Sequence, residues 1–225
     1  MNREQRLVAM ADLRDRHPAL EALIDRHGLP PLRPPVRSAL RFDALARSIL
    51  YQQLAGKAAA AIHRRFVEAV GGTVTPSSVL AAPPGLLTSC GLSRAKAAAI
   101  ADLAEKVSSG QLTLDRIGRL SDEVVIEQLV QVRGIGRWTA EMFLLGTLGR
   151  LDIWPTGDYG VRVGFASGWQ LTDVPSPKDL EVLGEPYRPY RSLVAWYCWR
   201  AADDRALPTI ASPAAAASSD LAVTE

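Results

Sequence analysis

Apolar positions along this chain recur at three- and four-residue steps almost everywhere, the period of a helix with one buried face. In "RFDALARSILYQQLAG", Phe42, Leu45, Ile49 and Leu50 fall on one face. In "KAAAAIHRRFVEAVGG", Ile62, Phe66 and Val70 follow at four-residue steps, with Gly71-Gly72 as a stop. Thr75 and Pro76 form a cap and first turn, and a Pro-Pro break at 83–84 separates two short helices. Ser93 opens an alanine-rich helix closed by Gly110, and Ser121 is placed to cap "DEVVIEQLV", whose acids suit the positive end of the helix dipole. A further helix is expected from about Arg137 to Leu148. "RLDIWPTGDYG" then reads as a loop, Asp158 leads another helix, Ser176-Pro177 starts one more, and "PYRSLVAWYCWRAADD" is the last. Period-two alternation of any length is absent, so the fold class is all-α. The proline-rich "GLPPLRPPVR" is expected to be a rigid crossing within one domain, spanning residues 1–209, and the small, polar segment 210–225 a disordered tail.

Composition changes this picture little. The chain has 225 residues, enough for one large domain or two small lobes around sizeable cores. A formal charge of +2 does not announce a polyanion partner, so any basic surface must come from distribution. Cys90 and Cys198 are expected to be buried thiols, and two cysteines cannot supply a four-cysteine iron–sulfur cluster or structural zinc site. The N-terminal "MNREQRLVAMADLRDRH" lacks the apolar core of a secretory signal, and no stretch reaches a membrane span. A soluble, cytoplasmic protein is expected.

The stretch that carries chemistry is "QLVQVRGIGRWTAEM", residues 128–142. It reads as helix, glycine turn, helix, with Arg133 and Arg137 flanking Gly134-Ile135-Gly136. Glycines let the backbone turn sharply and approach another group closely. The free N–H groups of a new helix start make an anion site, so a phosphate held there is one reading and an ordinary tight hairpin the other.

This stretch closely resembles the hairpin of the helix-hairpin-helix DNA glycosylases. "ARSILYQQLAGKAAAAI", "GLSRAKAAAIADLA", "LDIWPTGDYGVR" and "YRPYRSLVAWYCW" resemble further motifs of that family in the same order, from about residue 40 to residue 200. The nearest group is the alkylbase glycosylases of the DNA-3-methyladenine glycosylase II type, here in a short form without the strand-rich N-terminal domain of some longer members. The resemblance implies a two-lobed helical fold with the active-site cleft between lobes and a helix-hairpin-helix at about 121–148.

It also implies residue roles. Asp158 matches the catalytic aspartate; the residues alone leave a helix N-cap equally open. Gln53 matches the side chain inserted into the duplex when the target base leaves the stack, while Gln52 and Gln53 could instead make backbone contacts at a helix end. Trp138 and Trp199 match aromatic walls of the base pocket, whose electron-rich faces attract a cationic alkylated base, although core packing is the usual fate of a helical tryptophan. Met142 stands where a relative has a pocket tyrosine, and Tyr51, Trp154 and Tyr159 could border the pocket. The hairpin amides near Gly134, Gly136 and Thr139, together with Arg137, would contact DNA phosphate, and main-chain carbonyls of Val130, Val132 and Gly134 would hold a monovalent cation, Na+ or K+.

The implied activity is monofunctional excision of alkylated purines such as 3-methyladenine from double-stranded DNA, by a monomer that needs no cofactor for catalysis. Two alternatives remain: a non-catalytic DNA-binding module, and a glycosylase with lyase activity. The second needs a lysine amine. In bifunctional relatives it stands where this chain has Trp138, and no lysine lies between Lys106 and Lys178.

Overall fold

The computed structural model describes residues 3–31, 34–54 and 56–206, so the segment expected to be a tail lies outside the described residues. These residues form twelve α-helices and three short 3-10 turns, and no strand occurs among them. The all-α expectation holds. Several helix ends also follow the local chemistry anticipated for them. Thr75 and Ser78 form a reciprocal capping box, Ser93 Oγ accepts from the Lys96 N–H, and Gly71 and Gly72 end their helix at φ +85° and +86°. Ser121 occupies an N-cap backbone conformation but makes no capping hydrogen bond.

Two apolar cores organise the chain. The first is built by α3 (Arg41–Tyr51), α4 (Gly56–Ala69), α5 (Pro76–Leu80), α6 (Leu86–Ser89), α7 (Arg94–Ser108), α8 (Asp122–Leu129) and α9 (Arg137–Gly146). The face expected on α3 is buried here: Phe42, Leu45, Ile49 and Leu50, against Ile100 and Leu103 of α7 and Phe143 and Leu144 of α9.

The second core joins the beginning of the chain to its end. Helices α1 (Arg3–Arg16) and α2 (Pro18–His27) contribute Met10, Leu13, Leu20 and Leu23. They pack with α10 (Tyr159–Gly168), α11 (Pro177–Gly184) and α12 (Arg191–Ala206), through Phe165, Leu180, Val194 and Tyr197. The chain therefore starts in one lobe, crosses to build the other, and returns. The described end of the proline-rich segment is tied to the first lobe where the Val36 N–H donates to the Thr147 carbonyl at 2.8 Å. Cys90 and Cys198 are free, buried, and in different cores. Complete burial, then the charge of Asp158, pushes the Cys198 thiol well above its ordinary pKa, so it stays protonated and inert.

One very close helix crossing lies in the second core. A side chain at Gly164 of α10 would strike the Cys198 carbonyl of α12, so these two helices touch backbone to backbone. That crossing sets the spacing of Asp158, which caps α10, and Trp199 on α12.

Candidate active site

The hairpin between α8 and α9 is an anion cradle in outline. Gly134 has φ +77°, a conformation that side-chained residues adopt only with strain, and an added Cβ would press on Ala99 at 3.2 Å. Gly136 differs. Its φ of −93° suits any residue and an added Cβ would meet nothing within 4 Å, so nothing within the protein demands a glycine there. It is the N-cap of α9 and has no side chain to cap with, leaving the first-turn N–H groups of Arg137, Trp138 and Thr139 open to an outside acceptor.

The turn is braced from two directions. From α7, Asp102 Oδ2 accepts the Arg133 N–H at 2.8 Å while Oδ1 takes the Lys106 ammonium at 2.6 Å. Burial raises the Asp102 pKa, but the Lys106 ammonium and the Arg133 N–H outweigh it and hold the carboxyl below its ordinary value. From the end of α3, the Gln52 amide donates to the Gly134 carbonyl at 3.0 Å and the Thr139 hydroxyl at 3.2 Å.

The structure revises the role of one residue expected to contact phosphate. The Arg137 guanidinium is already shared between Glu123, through 2.8 and 3.2 Å bonds, and Glu141, at 3.0 Å. Its backbone N–H, not its side chain, is what the hairpin offers, whereas Arg133 is exposed and outside any ion pair among the described residues. Thr139 is buried with its hydroxyl on Gln52, so what it offers is its N–H, the group expected to contact phosphate. Of the carbonyls expected to hold a cation, Val132 accepts from the Ile135 N–H and Gly134 from Gln52, each keeping one further lone pair.

Asp158 sits across a cleft from this hairpin, at the end of a loop fixed by the second lobe. Arg191, buried, grips Asp152 at 2.8 and 3.0 Å, and the Ser192 hydroxyl accepts the Ile153 N–H at 2.9 Å. Trp154 is buried, with its indole N–H donating to the Leu180 carbonyl at 2.8 Å. It anchors the loop and does not border the pocket as expected. Asp158 does cap α10, Oδ1 accepting the Val161 N–H at 2.9 Å. The same oxygen accepts the Trp199 indole N–H at 3.1 Å, and Oδ2 accepts that of Trp138 at 2.6 Å. Three N–H donors thus fix the carboxylate plane, and the two indoles come from opposite lobes. Capping and a chemical role coexist in one side chain.

Beside this carboxylate clamp lies a cavity of about 480 Å³, lined by Ser48, Tyr51, Gln52, Gln53, Trp138 and Thr139. Trp138, 46 % exposed, offers it an aromatic face, as does Tyr51, over whose ring the Arg47 guanidinium lies at 5.0 Å. Gln53 projects from a left-handed backbone at φ +56°, just beyond α3. Met142, half-buried, does not line the cavity: it sits a full turn further into α9. Tyr159 points outward, 69 % exposed. Apart from the four-residue step between Asp102 and Lys106, the sequence pattern shows no sign of Ser48, Lys96 or Asp102 at the site. Gln52, at the end of its helix, does make the backbone contact that one reading of it allowed.

A model of the HhH-GPD superfamily of base excision DNA repair proteins matches residues 46–189. The chain belongs to this superfamily. Among HhH-GPD relatives, DNA-3-methyladenine glycosylase 1 of Schizosaccharomyces pombe is 35% identical over 162 residues, 71% of each chain. A solved structure of that organism's 3-methyladenine DNA glycosylase (Mag1) in complex with abasic DNA aligns with TM-score 0.74 and 32% identity, covering 85% of this chain and 95% of that one. A DNA-3-methyladenine glycosidase from Bacillus halodurans aligns with TM-score 0.77 and 32% identity, covering 88% and 90%. The HhH-GPD hairpin is α8, the glycine turn and α9, and the motif order read from the sequence is the order in which the two lobes are assembled.

Proposed function

We propose that this chain is a monofunctional DNA glycosylase of base excision repair that removes alkylated purines such as 3-methyladenine from double-stranded DNA. The observation that carries this reading is the Asp158 carboxylate, held by two indoles at the edge of an aromatic cavity and facing a hairpin of open amides. The hairpin N–H groups near Gly134, Gly136 and Thr139 grip phosphate without regard to base sequence, placing the duplex across the cleft. The target nucleotide swings out of the stack into the cavity, and Gln53 enters the gap.

An alkylated purine already carries positive charge, so it is attracted by the faces of Trp138 and Tyr51 and needs no strong general acid to leave. The C1′–N bond breaks with its electron pair going to the base, which departs neutral. Positive charge develops on the sugar, where Asp158 stabilises it, and water adds at C1′ and gives up a proton. Trp138, where a lyase needs an amine, restricts the chemistry to hydrolysis. We further propose that the enzyme acts as a monomer in the cytoplasm, at the nucleoid if bacterial. In this reading Na+ or K+ bound by the Val130, Val132 and Gly134 carbonyls supports the hairpin.

The test compares wild type with Asp158→Asn on methylated duplex DNA. Wild type should release 3-methyladenine, and the variant should lose at least about a hundredfold in rate while still binding DNA. Equal release by both would overturn the mechanism. A covalent adduct trapped by borohydride would overturn the monofunctional reading.

A further inference from the structure

One side chain at the cavity rim joins elements that would otherwise move independently. Gln52 ends α3, and its amide spans to the hairpin, holding the Gly134 carbonyl and the Thr139 hydroxyl. On its other side its own carbonyl accepts the Lys96 ammonium at 2.6 Å, and Lys96 also takes the Leu50 carbonyl at 2.7 Å. The last carbonyls of α3 are thereby satisfied by a cation, as the negative end of a helix favours. The backbone is pinned at Leu50 and Gln52 just before it enters the left-handed turn of Gln53, which lies open to solvent next to Leu54, itself 38 % exposed.

We infer that Gln52, supported by Lys96, is a positioning residue that locks the duplex-entering loop at Gln53–Leu54 to the phosphate-gripping hairpin. This rests on the glycosylase reading above. Gripping the backbone at Gly134–Thr139 fixes where the strand lies, and the Gln52 strut converts that register into the depth at which Gln53 meets the base pairs. Its contribution therefore falls on opening the duplex, and not on the bond-breaking that follows at Asp158.

The experiment measures single-turnover release of 3-methyladenine from one methylated strand in two settings. In one it is annealed to its full complement. In the other the complement has abasic positions opposite each adenine, so the target base is unpaired and cheap to extrude. Gln52→Leu removes the two donated bonds and keeps the bulk. It should slow release about tenfold more from the paired duplex than from the unpaired one, the size expected for two ordinary hydrogen bonds lost, whatever its effect on the cavity that Gln52 also lines. Lys96→Met should show the same dependence on pairing, and it carries the test if the glutamine variant fails to fold. Losses equal in both duplexes, or none in either, would overturn the coupling. Wild type that frees no base from either duplex would instead overturn the glycosylase reading, a result distinguishable from the first two.

Discussion

Gly164→Ala tests how the site is assembled. A Cβ at this position would lie 1.6 Å from the Cys198 carbonyl oxygen, 2.4 Å from its carbon and 2.9 Å from its Cα. All three atoms are backbone, so no side-chain rotation relieves the clash. Ordinary contact begins at 3.4 Å, so α10 and α12 must part by roughly 1.8 Å, the difference between 3.4 and 1.6. Overpacking costs about 1–3 kcal/mol when side chains can shift and more when they cannot, so we expect at least ~3 kcal/mol here. At about 2–4 °C per kcal/mol for a chain of this size, the melting temperature should fall by about 6–12 °C. Activity should suffer beyond stability. Asp158 rides on α10 and Trp199 on α12, and their 3.1 Å hydrogen bond would be stretched past bonding distance by the same separation. Thermal unfolding and base release, measured well below the variant's transition, read the two effects. Gly146→Ala, at a helical glycine with nothing within 4 Å, is the control and should melt at or slightly above wild type. Melting of Gly164→Ala within about 2 °C of wild type would refute the backbone-contact argument.

Other outcomes follow from the hairpin. Gly136→Ala should leave folding stability within about 0.5 kcal/mol of wild type, since its Cβ meets nothing. It should nevertheless weaken binding to undamaged duplex several-fold in a salt-dependent titration, because a methyl group then stands where phosphate approaches. The lowered pKa of Asp102 makes its stabilisation fully present above the unfolded value near 4 and lost as pH falls through the lower folded value. The Asp102→Asn variant should therefore lose less stability than wild type on acidification below pH about 4, measured by urea denaturation at each pH. If the two acid profiles superimpose, the carboxylate does not brace the turn.

The features legible in the sequence were those fixed by near neighbours. Helix periods, the Thr75-Pro76 and Ser93 caps, the glycine turn and the aspartate loop all depend on groups a few residues apart, and motif order did the rest. What stayed hidden depends on which helix faces which. Gln52 and Gly134 are 82 positions apart, and nothing local to "YQQLAG" says that one of its amides ends on the hairpin. Arg137 read as a phosphate ligand because arginine suits phosphate. The competing partners are Glu123, on a separate helix, and Glu141, whose burial is a tertiary fact. Trp154 looked available because it lies in the loop that carries Asp158, yet packing turns it inward, onto a site where Gly184 leaves room for its indole.

The clamp on Asp158 ties these threads together. A carboxylate meant only to cap α10 needs the Val161 N–H and nothing more. Here each oxygen also receives an indole N–H, one from each lobe, so the lobes cannot move apart without loosening the acid. Trp138 serves twice: its face lines the cavity and its edge orients Asp158. A lysine in its place would put a cation beside the carboxylate and remove an aromatic wall. Tryptophan supplies a neutral donor, so in the proposed mechanism Asp158 is the site's uncompensated negative charge when a cationic base arrives and positive charge passes to the sugar. That arrangement favours leaving groups that are already charged over neutral bases, which require a proton donor, since no aspartate, glutamate, histidine or lysine is among the described residues that line the cavity.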